Sequence, residues 1–231
     1  MFRIFFSFSF IFSNLLLVSC AVNPVTGQNE FSLLSRQDEI SIGNEQYGPS
    51  QQSQGGEYKV DPELSAYVNQ VGQRLASVGR RDYDLPYEFV VLNNSVPNAW
   101  ALPGGKIAIN RGLLLELNSE AELAAVLGHE VVHAAARHGA AAMARGSLLQ
   151  GVLTVGAIAS QDSAYSDYIV GAGQLGAQLI SQRYGRDAER DSDTFGIRYM
   201  LEAGYDPQEA VSLQETFVRL SEGRESGWID G

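Results

Sequence analysis

The stretch His129-Glu130-Val131-Val132-His133 constrains this chain more than any other five residues. On a helix of 3.6 residues per turn, positions four apart lie about 40° apart around the axis, so both imidazoles can reach one metal ion. Glu130 lies about 100° around from His129, on the flank of that face, where its carboxylate can approach a reacting water without being a ligand. The spacing thus supplies two ligands and a general base. The competing reading is a packed helix with two satisfied histidines. Ser119 with Glu122 three residues on reads as a capping box, and Leu123, Val126, Leu127 and Val131 supply a face that can be buried. Imidazoles held against a core without a partner are costly, and metal coordination removes that cost.

A catalytic zinc site needs a third protein ligand and leaves its fourth position to water. The remaining histidine, His138, falls about 180° around a continuous helix from His129, and it misses the position that the metzincin pattern requires. It reads as a helix-end or packing residue. Glu189 is the better candidate. It lies four residues before Asp193, so on a second helix the two share a face, and one can bind metal while the other accepts the ring N–H of a ligating histidine. A solvated charged face is the alternative, since Arg186, Asp187 and Arg190 stand in the same run.

These residues carry a resemblance. HEVVH followed by Ala134-Ala135-Ala136-Arg137-His138, the later Glu189, Asp193 and Gly196, and the block Asn98-Ala99-Trp100-Ala101-Leu102-Pro103-Gly104-Gly105-Lys106-Ile107 together resemble the zinc metallopeptidases related to HtpX and the CAAX prenyl proteases. The likeness is greatest to their periplasmic lipoprotein branch, BepA-like and LoiP-like. It implies an α+β, zincin-like (gluzincin) domain, mainly helical, with a small edge sheet beside the active-site helix. It implies one Zn2+ per chain on His129, His133 and Glu189, Glu130 as catalytic base, and Asp193 as partner to a ligating histidine. It also implies that Ala99 to Ile109 forms an edge strand beside the cleft, with Asn98 to Gly105 binding substrate. That suits peptide cleavage, in which an extended chain adds to a sheet edge through main-chain hydrogen bonds. No oxyanion donor stands out; Tyr184 and Arg183 are candidates by type. Relatives continue past the equivalent of Trp228-Ile229-Asp230 into a His-Pro segment with a downstream arginine. Either the sequence is a fragment or its site lacks that group.

Met1 to Ser19 carries Arg3 and then a Phe-, Ile-, Leu- and Val-rich stretch too short and too Ser-interrupted for a spanning helix. It ends in Leu17-Val18-Ser19-Cys20, which resembles a bacterial lipobox, cleaved before a cysteine that is then acylated. Cys20 is the one cysteine, so no disulfide forms within the monomer. Ala21 rather than aspartate follows it, and the resemblance then implies the periplasmic face of the outer membrane. Residues 20–56 read as a tether and leading segment, with Pro49 to Gly56 an exposed loop, and 57–231 as the peptidase domain.

Loss of Arg3 with the signal takes the formal charge from −11 to −12. So acidic a chain has no basic stripe for nucleic acid. Helical spacing predicts a helix over Pro62 to Val78, strands over Tyr87 to Leu92 and Lys106 to Ile109 with a turn at Pro103-Gly104-Gly105, and a metal helix from Ser119 to about Arg145. Gly146 to Ile180, rich in small residues, reads as a helix packed across the core, with an interfacial or substrate-facing lid as the alternative. The expected function is zinc-dependent hydrolysis of misfolded or stalled envelope proteins, with the outer-membrane assembly machinery as a partner. The rivals are a catalytically weak zinc-binding lipoprotein acting as a chaperone and a metal-free structural lipoprotein.

Overall fold

The computed structural model describes residues 20–147 and 184–222. The signal segment, the small-residue stretch from 148 onward, Arg183 and Trp228 to Asp230 lie outside them. A short antiparallel hairpin, β1 (Cys20–Val22) with β2 (Asn29–Phe31), leads into helix α1 (Arg36–Ser53). Helix α2 (Pro62–Asp82), strands β3 (Glu88–Leu92), β4 (Ala99–Leu102) and β5 (Lys106–Asn110), and a one-turn helix α3 (Arg111–Leu114) follow. The metal-motif helix α4 (Glu120–Ala135), helix α5 (138–147), α6 (Arg186–Glu202) and α7 (Glu209–Glu222) complete the described chain. The fold is a mainly helical α+β arrangement around one small sheet.

Helix α1 corrects the loop expected at Pro49 to Gly56. A Ser35–Asp38 capping box opens the helix, which continues through Pro49 to Ser53. Gly48 precedes the proline and has no Cβ to clash with its ring. The buried face, Glu39, Gly43, Tyr47 and Ser50, then holds the helix in place. The Tyr47 hydroxyl donates to the Ile107 carbonyl at 2.8 Å. Only at Gly55 and Gly56, with φ of 93° and 76°, does the chain turn away.

Helix α2 has Asp61 as its cap, accepting from the Leu64 amide, and Pro62 in its first turn. It runs one turn past the expected Val78. In that last turn Gly79 is buried against α4, where a Cβ would lie 2.7 Å from Val131 Cγ1. Arg80 and Arg81 then sit favourably at the helix C-terminus.

In the three-stranded sheet β5 is central, parallel to β3 and antiparallel to β4, with Ala99 opposite Ile109 and Leu102 opposite Lys106. The expected edge strand Ala99 to Ile109 is therefore two strands. Ala99–Leu102 is the edge; the chain turns through Pro103–Gly105, with Gly104 and Gly105 at φ 78° and 83°, and returns as β5, buried along its whole length. The core lies between this sheet and α2, α4 and α6. There Leu75, Leu127, Val131, Ile107, Ile109, Tyr199 and Met200 are at most 1% exposed, each aliphatic side chain contributing about 1.5–3 kcal/mol by burial.

Helix α4 does not run to Arg145. It stops at Ala135, and Arg137 takes a left-handed φ of 61° before α5 begins. Contacts far away in sequence impose the break. The Asn23 amide donates to the Ala136 carbonyl at 2.8 Å, and the Arg137 guanidinium pairs with Glu39, which is fully buried. No helix among the described residues is long and apolar enough to cross a membrane.

Candidate metal centre

Ser119 caps α4 by accepting the Glu122 amide at 3.1 Å. The other half of the expected capping box does not form. The Glu122 carboxylate instead accepts the Asn118 amide at 2.7 Å and the Ser212 hydroxyl, tying the start of α4 to α7. Leu123, Val126, Leu127 and Val131 are all buried, as their spacing predicts. With that face fixed, His129 and His133 stand one turn apart, and their Nε2 atoms come within 2.9 Å of each other.

Helix α6 crosses α4 closely enough to bring Glu189 to both rings. Its Oε2 lies 3.4 Å from His129 Nε2, and its Oε1 lies 3.6 Å from His133 Nε2. Two glycines permit the approach. A Cβ at Gly196 would lie 3.2 Å from the His129 backbone nitrogen, and one at Gly128 would lie 3.3 Å from the Gly196 carbonyl oxygen. One turn beyond Glu189, the Asp193 carboxylate is 3.0 Å from His129 Nδ1. Among the described residues, His129, His133 and Glu189 form a group whose ligand-type atoms all lie within 4.8 Å of one another. Ligands about 2.0–2.1 Å from a tetrahedral zinc stand about 3.3 Å apart, so the observed separations fit such an ion.

The electrostatics suit a cation. Burial works against charge on His129, but hydrogen bonds to Asp193 and Glu189 outweigh it and push its pKa up to about 10. Glu130, almost buried on the flank of the same face, is pushed up to about 7, first by burial and then by the Glu189 charge, against the opposing pull of His129. Burial holds His133 well below the usual histidine range. A cavity of about 560 Å³ opens beside these groups, with Asn98 and Ala99 of the sheet edge, Glu130 and Asp193 on its wall.

Antiparallel alternation decides what that edge offers. Asn110 N–H donates to Asn98 O at 2.9 Å, so Trp100 and Leu102 also turn their backbone groups toward β5, and those of Ala99 and Ala101 point outward. Tyr184 agrees with this, its hydroxyl donating to the Ala101 carbonyl at 3.5 Å while its ring stacks on His133, centroids 4.2 Å apart. Its hydroxyl thus lies between the sheet edge and the rings of α4.

His138 is a buried residue at a helix end, as its sequence reading has it, but it does not lie on the far side from His129. Because α4 ends before it, the residue is not carried to the far side of the helix. It folds back, 3% exposed, with Nδ1 2.9 Å from His133 Nδ1 and 3.4 Å from the Ser192 hydroxyl. Burial lowers its pKa to about 4. The spacing of His133 and His138 carries no hint of this, since it depends on a left-handed arginine.

The sequence profile of peptidase family M48 matches residues 62–228. The beta-barrel assembly-enhancing protease of Escherichia coli (strain K12) is 30% identical over 200 residues, covering 84% of this chain and 40% of that protein. A putative beta-barrel assembly-enhancing protease of Vibrio cholerae is 33% identical over 170 residues, covering 70% of this chain and 34% of its own. Metalloprotease YcaL of Escherichia coli (strain K12) is 27% identical over 176 residues, covering 73% of this chain and 67% of its own. The chain thus spans about two fifths or less of the length of the two assembly-enhancing relatives.

Proposed function

The chain belongs to peptidase family M48, and on that premise we propose that it is a zinc-dependent endopeptidase of the bacterial envelope, cleaving misfolded or stalled outer-membrane proteins. The observation that carries this is the convergence of two Nε2 atoms and one carboxylate, 2.9 to 3.6 Å apart, beside a further carboxylate that is not part of the cluster. His129, His133 and Glu189 hold the metal, and Asp193 fixes His129 through its Nδ1–H. When bound, zinc supplies Lewis acidity toward water and the scissile carbonyl. Glu130 takes the proton of the attacking water and returns it to the leaving amine. Burial suits it to that task by bringing its pKa close to neutrality, where a group both accepts and donates.

The substrate strand adds alongside β4, using the outward N–H and C=O groups of Ala99 and the outward N–H of Ala101, which sets its scissile bond beside the rings of α4. Pro103 to Gly105 turns the chain back and keeps that edge short. Residues 1–19 act as a lipoprotein signal, 20–56 as a leading segment, and 57–231 as the peptidase domain. Acylated Cys20 attaches the protein to the periplasmic face of the outer membrane. The names of the assembly-enhancing relatives support outer-membrane proteins as substrates and their assembly machinery as a partner.

The test is zinc content by atomic absorption together with casein cleavage, with and without chelator, for wild type and Glu130→Gln. The variant is expected to keep its zinc and lose hydrolysis. Full turnover by the zinc-loaded variant would remove Glu130 from the mechanism, and a wild type without zinc would remove the metal centre.

A further inference from the structure

We propose that His138 is a positioning residue for the metal centre: it accepts the Nδ1–H of His133 and so fixes which nitrogen of that ring is free for the metal. The inference rests on the metal-site reading above and adds to it a residue outside the cluster of His129, His133 and Glu189. Three observations carry it. The two Nδ1 atoms are 2.9 Å apart, so they share one proton between them. His133 Nε2 faces His129 and Glu189, and a neutral ring that offers that nitrogen to a cation must carry its proton on Nδ1. His138 must therefore present an unprotonated Nδ1 and carry its own proton on Nε2. That Nε2 is buried and has no hydrogen-bond partner among the described residues. A ring placed only to fill space would be replaced there by leucine or phenylalanine at no polar cost.

The surroundings hold this arrangement in place. Arg137, at a φ of 61°, reverses the chain between the two histidines, and its guanidinium is fixed by Glu39, Ser32 and the Leu34 carbonyl. Tyr184 stacks on the face of His133, leaving the ring edge to find its partner. Ser192 Oγ, fully buried on α6, stands 3.4 Å from the same His138 Nδ1 and backs it from the helix that carries Glu189. The two histidines of the cluster are thus held differently. His129 leans on a carboxylate and His133 on a neutral imidazole, so the pull of Asp193 on one ring is not duplicated on the other.

Leucine and asparagine have nearly the same shape, but only asparagine offers an acceptor where the histidine has Nδ1. In the full protein, His138→Leu is expected to weaken zinc binding about 10- to 100-fold, and His138→Asn to recover most of that loss, read by competition with a chromophoric chelator. Nitrogen-detected NMR of the zinc-loaded wild type is expected to show His133 protonated on Nδ1 and His138 on Nε2. Equal zinc affinity in His138→Leu and wild type, or equal loss in the leucine and asparagine variants, would overturn the proposal. So would a His138 protonated on Nδ1 in the wild type, a result that stands even where a variant does not fold. A wild type that takes up no zinc would instead overturn the metal-site reading beneath it.

Discussion

Replacing Gly196 with alanine is expected to weaken metal binding more than it weakens folding. Glycine stands where α6 crosses α4, and the added Cβ would lie 3.2 Å from the His129 nitrogen and 3.4 Å from its Cα. Both neighbours are backbone, so relief comes only from moving one helix off the other by a few tenths of an ångström. Overpacking of this kind costs about 1–3 kcal/mol, and the better helix propensity of alanine returns about 1 kcal/mol, leaving a net loss of about 0–2 kcal/mol. Metal ligation is less forgiving, because ligand distances must hold to about 0.2 Å. The displacement falls directly on Glu189, two turns up the same helix, and a loss of about tenfold in zinc affinity, about 1.4 kcal/mol, is expected. Urea unfolding of the metal-free protein and chelator competition measure the two effects separately. A variant about 1 kcal/mol more stable than wild type, binding zinc equally well, would show that the crossing has room and that the argument from close approach is wrong.

Glu189→Ala is expected to abolish tight zinc binding and Asp191→Ala to leave it unchanged, with Asp193→Ala falling about 10- to 100-fold; equal loss at 189 and 191 would place the wrong face of α6 against the rings. Arg137→Met leaves Glu39 buried without its cation and is expected to cost about 3–5 kcal/mol in urea unfolding, because an unpaired buried charge is worse than a deleted pair. A loss under about 1 kcal/mol would mean that water reaches Glu39. Cys20→Ala is expected to release exported protein from the membrane fraction, since several acyl chains on one residue give stable attachment. Labelling by a palmitate analogue that marks the variant as strongly as wild type would contradict the anchor.

What could be read from the chain beforehand was whatever depends on local period and spacing. The start of α4 at Ser119, its buried face, the strands β3 and β5 and the pairing of Glu189 with Asp193 on one helix face all follow from short patterns. The structure brings His129, His133, Glu189 and Asp193 together as that spacing allows. Helix α1 escaped because its inward face is Glu39, Gly43, Tyr47 and Ser50, which gives no apolar period. The turn at Pro103 to Gly105 and the strand after it were legible, but the central place of that strand escaped, because only pairing on two sides distinguishes it from an edge. The break after Ala135 has its causes at Asn23 and Glu39, about a hundred residues earlier. The position of His138 depends on that break, so no reading of α4 by itself could have found it.

The hydrogen bond from Asn23 to the Ala136 carbonyl also bears on reach. Cys20 begins a strand in register with Phe31, and Asn23, three residues later, grips the end of the metal-motif helix. If lipid is attached at Cys20, there is no slack between anchor and blade: three residues span at most about 10 Å, and His133 lies one helical turn back from the gripped carbonyl. The cutting edge would then ride on the order of 20 Å from the acylated residue, too short a leash to sweep the periplasm. Such an enzyme would patrol the membrane surface, meeting chains that linger there and ignoring those that diffuse past.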